Sequence, residues 1–127
     1  MDPTVKHQKI DDEEWRYIKA ESDQIPYRQA IGSLLYLACG TRPDITFSAT
    51  YMRQFNERSS EFHWRSVKHL FRYLKEPKHL SFTFRKTKRA LETFSDADCG
   101  TEKVDRKSFS GYVLILGGAA ISWCSKK

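Results

Sequence analysis

From Pro26 onward, apolar residues recur at helical spacing. In PYRQAIGSLLYLACG, Ile31, Leu34, Leu35 and Ala38 fall at i, i+3, i+4 and i+7; Pro26 sits where a first helical turn tolerates proline, and Gly40 closes the run. Thr41 and Pro43 form a second start signal, since threonine can cap and proline near the first turn forfeits no needed hydrogen bond; helical spacing then resumes over Ile45 to Phe55, with an end expected near Asn56. A third helix is expected to open at Ser59 or Ser60, flanked by Glu57 and Glu61, and to run to the stop before Pro77, with Val67, Leu70, Phe71 and Leu74 as its apolar stripe. Past Pro77 the pattern changes. LSFTFRK, LETFSDAD, SFSGYVLILGG and AAISWCS are short, rich in β-branched and aromatic residues and separated by turn or charged residues, so each reads as a strand. Gly117-Gly118 signals a hairpin, and the polar stretch 99–107 a loop. The fold class is therefore α+β, about three helices followed by an antiparallel β-meander.

Residues 1–25 carry the run DDEE and only scattered apolar groups, so this segment reads as a flexible acidic lead-in with at most one short helical turn. With no repeat and no Gly/Ser-rich or Pro-rich linker, the organisation expected is 1–25 lead-in, 26–77 helical and 78–127 strands.

Composition narrows the classes. The 127 residues suffice for one ordinary domain with a real core, and 39% apolar with 30% charged residues is a globular balance. No window approaches a membrane span and the N-terminus lacks the apolar stretch of a signal peptide, so the expectation is an intracellular protein, cytoplasmic or nuclear, not secreted and with no membrane partner. Cys39, Cys99 and Cys124 are odd in number and widely spaced, which argues against a disulfide scaffold or zinc knuckle and for buried or half-buried thiols. The net charge of +6 is uneven: residues 1–25 hold four Lys/Arg against seven Asp/Glu, so the basic surplus lies in the remainder and suits a polyanionic partner.

At about 100° per residue, Arg65, Lys68, Arg72 and Lys75 fall together beside the apolar stripe of the third helix. Such a cluster either solvates an amphipathic helix or contacts phosphates. No glycine-rich phosphate loop, HExxH or GxSxG occurs, which removes support from most enzyme classes. Asp96 and Asp98, at i and i+2 near a strand end, share one side and could hold a hard cation such as Mg²⁺, or could simply end the strand. His7, His63, His69 and His79 have no partner at ligand spacing and read as surface or interface residues, while Trp64, Tyr73 and Trp123 could stack bases but read first as core.

The ordered strings PYRQAIGSLLYLACGTRPDI, HWRSVKHLFRYLK, FSDADCG, DRKSFSGY and ISWCSKK, spanning Pro26 to Lys127, resemble the polyprotein of copia-type LTR retrotransposons where reverse transcriptase ends and RNase H begins. The resemblance implies that the helices belong to the polymerase thumb or connection and that the strands begin an incomplete RNase H fold. It also implies that Asp96 corresponds to the first catalytic carboxylate, in an enzyme that uses Mg²⁺. Cys99 stands where the family usually has Trp. RNase H chemistry needs several carboxylates around two metal ions, and the family's next acidic ligand would lie beyond Lys127. This chain is therefore expected not to catalyse alone and to bind no Mg²⁺ tightly, within a family whose activities are RNA-directed DNA polymerase and ribonuclease H. Its expected partners are an RNA/DNA hybrid or primer-template, met by Arg65, Lys68, Arg72 and Lys75, and the rest of the Pol polyprotein. Two alternatives stand beside this reading: an RNase H-type nuclease using Asp96 and Asp98 with Mg²⁺, completed by a longer chain or partner, and a non-functional relic or protein-interaction remnant.

Overall fold

A computed structural model describes residues 7–76, 80–97 and 108–127. The order is α1 (Asp12–Ser22), α2 (Tyr27–Gly40), a single 3₁₀ turn (Pro43–Ile45), α3 (Thr46–Arg53), α4 (Glu61–Lys75), then β1 (Glu92–Ala97), β2 (Ser110–Leu116) and β3 (Ala119–Lys126). The α+β class is as expected, with one helix more than the apolar pattern indicates.

That extra helix is α1. In place of at most one short turn there are eleven residues, because Asp11 Oδ1 accepts the Glu14 N–H at 2.8 Å and the acidic first turn, with Lys19 in the last, suits the helix dipole. It is tied down where the Ser22 hydroxyl donates to the Ser59 carbonyl at 2.7 Å and where Arg58 pairs with Asp12 at 2.6 Å.

The core is helical. Tyr27, Ile31, Leu34 and Ala38 of α2 meet Ile45, Ala49, Met52, Phe55 and Val67, and Leu35, Leu70 and Leu74 close over them. The Tyr27 hydroxyl, buried among these groups, donates to the Met52 carbonyl at 2.9 Å. The second expected helix is divided: a 3₁₀ turn at Pro43–Ile45 precedes α3, and α3 unwinds after Arg53 into short-range bonds such as Asn56 N–H to Arg53 O at 3.1 Å.

The sheet is a meander in the order β1-β2-β3, both pairs antiparallel, with Phe94 opposite Val113 and Val113 opposite Trp123. Gly117 and Gly118 form the two-residue turn with φ of 63° and 85°, the left-handed pair that a tight hairpin favours. LSFTFRK joins no ladder. It is held instead by the Arg85 N–H donating to the Gly117 carbonyl at 2.9 Å and by Phe82 against Trp123, 5.5 Å between ring centroids. The loop expected over 99–107 lies outside the described residues.

Strand β3 rests on the helices. The Trp123 indole donates to the Ala38 carbonyl at 2.7 Å, the Thr50 hydroxyl to the Ser125 carbonyl at 3.3 Å, and Lys127 Nζ to Gln54 Oε1 at 2.7 Å. Among the described residues no helix is long and apolar enough to cross a membrane.

Candidate nucleic-acid interface

Helix α4 carries a core face and a charged face. His63, Val67, Leu70 and Leu74 turn inward at i, i+4, i+7 and i+11, whereas Phe71, expected within the stripe, stays 38% exposed at its margin. The cations Arg65, Lys68, Arg72 and Lys75 lie within a sector of about 80° of the helix circumference, Lys68 half-buried and the others exposed. Glu61 sits among them: its Oε1 is 3.1 Å from Lys68 Nζ and 3.6 Å from Arg65 Nε. Arg72 and Lys75 have no acidic partner among the described residues. Exposed pairs of this kind contribute about 0–1 kcal/mol, so a phosphate displacing Glu61 meets little resistance.

Sequence reasoning does not find the groups that hold α4 in place. His63, expected at the surface, is 1% exposed: its ring stacks on Phe55 with centroids 4.2 Å apart, and its Nδ1 accepts the Ser60 N–H at 3.1 Å. The signal is present as Ser-x-x-His, the capping-box spacing with His in the place of Glu or Gln. Burial and then the neighbouring His7 push the His63 imidazole down to about 4. His7 is also buried, 5.6 Å from His63 between ring centroids, and burial lowers its pKa; its Nε2 lies 3.3 Å from the Ser66 hydroxyl. His69 is exposed as expected, and His79 is outside the described residues.

At the other end of α4, the Tyr73 hydroxyl donates to Asp44 Oδ2 at 2.9 Å, and Arg42 grips the same carboxylate through Nε at 2.9 Å and Nη2 at 2.7 Å. The Arg42 hydrogen bond is the chief reason the Asp44 carboxyl is held below the usual range. A groove of about 550 Å³ lies between this end and His7, and of the four cations Arg65 lines it.

Asp96 is exposed on β1 opposite Gly111, and lines a shallow cleft of about 290 Å³ with Phe47, Phe94 and Tyr112. Asp98 and Cys99 are outside the described residues. Among the described residues no three His, Cys, Asp or Glu side chains cluster to hold a metal, and a single carboxylate does not fit a site that must hold two Mg²⁺ ions. Cys39 is exposed rather than buried, because it falls outside the core-facing row of α2, about 100° round the helix from Ala38; Cys124 is half-buried. Trp64 packs partly into the core, Trp123 is half-buried against Ala38, and Tyr73 is held at the surface by Asp44.

The chain corresponds to a short stretch of retrovirus-related Pol polyproteins from copia-type transposons. It is 36% identical over 108 residues, 85% of its length, to the retrovirus-related Pol polyprotein from transposon TNT 1-94 of Nicotiana tabacum, and 40% identical over 107 residues, 84% of its length, to that from transposon RE1 of Arabidopsis thaliana. It spans only 8% and 7% of those polyproteins. A further relative, the secreted RxLR effector protein 161 of Plasmopara viticola, is 36% identical over 104 residues, which are 81% of this chain and 73% of that protein. No family model and no solved structure matches the chain.

Proposed function

We propose that this chain is the part of a Pol polyprotein where the polymerase thumb or connection passes into RNase H, and that it works by holding a primer-template or RNA/DNA hybrid rather than by catalysis of its own. The observation that carries this reading is the sector of α4 holding Arg65, Lys68, Arg72 and Lys75, two of them with no acidic partner among the described residues. Guanidinium and ammonium groups spaced along a helix edge meet phosphates without reading bases, so binding is independent of sequence and falls with salt. Asp96 would supply one carboxylate to an RNase H-type Mg²⁺ site whose other ligands come from elsewhere in a polyprotein. The setting is intracellular, alongside the rest of Pol. The test is the affinity for an RNA/DNA hybrid across salt concentrations. Four phosphate contacts give a log-log slope of roughly −3 to −4, and a slope near zero would defeat the proposal.

A further inference from the structure

One row of α4 alternates aromatic and cationic groups. Trp64, Lys68, Phe71 and Lys75 stand at i, i+4, i+7 and i+11, within about 60° of the circumference and over about 16 Å of helix. Lys68 Nζ lies 6.0 Å from the Trp64 ring centroid, Trp64 is half-buried against the core, and Phe71 is 38% exposed between the two lysines. A phenyl ring left partly open in the middle of a cationic row is more than phosphate contact requires. Resting on the proposed interface, we infer that this row holds a single strand of nucleic acid, with an unpaired base stacked on Phe71 and the flanking phosphates on Lys68 and Lys75. Bases in a duplex have their faces covered by their neighbours and cannot use the ring, whereas unpaired bases of any identity can. Charge complementarity with a polyanion selects this occupant over an apolar protein surface.

The full chain would be titrated, by fluorescence polarisation at low salt, against a labelled single-stranded 12-mer, its duplex and an abasic 12-mer of equal charge. The single strand is expected to bind tighter than the abasic strand; Phe71→Leu, which keeps an apolar side chain at the helix margin, is expected to cost the single strand about 10-fold and the abasic strand nothing. Phe71→Tyr, which keeps a ring, is expected to retain the wild-type affinity. Equal binding of base-bearing and abasic strands, or a Phe71→Leu variant indistinguishable from wild type, would overturn this inference while leaving the phosphate interface intact. Failure to bind any of the three would overturn both.

Discussion

The indole N–H of Trp123 donates to the backbone carbonyl of Ala38 at 2.7 Å, a bond between residues 85 positions apart in the chain. Ala38 is fully buried, so nothing else in the described structure replaces this donor. Trp123→Phe keeps an aromatic ring against Phe82 but leaves the carbonyl unsatisfied, and about 1–3 kcal/mol of stability is expected to go with it. Urea denaturation checks this; an unchanged midpoint would show that the sheet is docked by other contacts.

The buried histidines give the fold a pH dependence of definite sign. Both are lowered in the folded state, His63 to about 4, while unfolded imidazoles titrate near 6.5. Between those values the unfolded chain binds more protons, so the stability these groups contribute is complete above about pH 6.5 and drains away as pH falls toward 4, by on the order of 3 kcal/mol for His63. His63→Gln supplies an amide oxygen to the same Ser60 N–H and does not titrate. Denaturation midpoints at pH 7 and pH 4.5 are expected to differ markedly less in that variant than in wild type, and an equal difference would contradict the assignment.

At the hairpin, two glycines with positive φ are not equivalent. A Cβ on Gly117 would stand 2.9 Å from the Arg85 carbonyl oxygen, whereas one on Gly118 meets nothing within 4 Å. Alanine at either position carries the left-handed strain of about 1 kcal/mol, and at Gly117 it must also push the 80–90 segment off the turn. Gly117→Ala is therefore expected to melt lower than Gly118→Ala; the reverse order would show that the Arg85 contact is dispensable.

Removal of the Tyr73 hydroxyl tests how α4 is anchored at its far end. Tyr73→Phe leaves Asp44 with its hydrogen bonds from Arg42, so a loss of about 0.5–1.5 kcal/mol is expected. Asp44→Ala releases both Arg42 and Tyr73 and is expected to cost more. Equal losses in the two variants would mean that Arg42 adds nothing to the anchor.

The legible parts of this fold are those where burial imposes a period. Ile31, Leu34 and Ala38, and Val67, Leu70 and Leu74, mark their helices because each row must face the core, and Gly117-Gly118 marks the hairpin because few other residues adopt its φ values. Helix α1 is hidden by its acidic composition: its order derives from the Asp11 cap and the Ser22 to Ser59 bond, local and long-range polar contacts that leave no apolar period. LSFTFRK has the alternation of a strand, yet strand pairing depends on a neighbour the alternation does not specify, and here Phe82 lies against Trp123 instead. The cations of α4 are legible as a cluster because helical geometry alone groups them. In sequence, Glu61 among them reads only as a cap neighbour, and Phe71 only as core. His63 passes for a surface residue because imidazole is polar, although its Ser-x-x-His spacing and its place one turn before Val67 mark it as inward.

The central claim is that α4 meets phosphates through its exposed cations, and the most direct test compares hybrid binding across salt for wild type and for Arg72→Gln/Lys75→Gln. Without those two cations, the log-log slope is expected to become shallower by about 2, with the melting midpoint lowered only slightly: neither residue has an ion pair to lose within the described structure, and as last-turn cations of α4 each adds about 0.3–1 kcal/mol through the helix dipole. A slope unchanged by the double substitution, in a chain that still binds, would place the interface elsewhere and contradict the account.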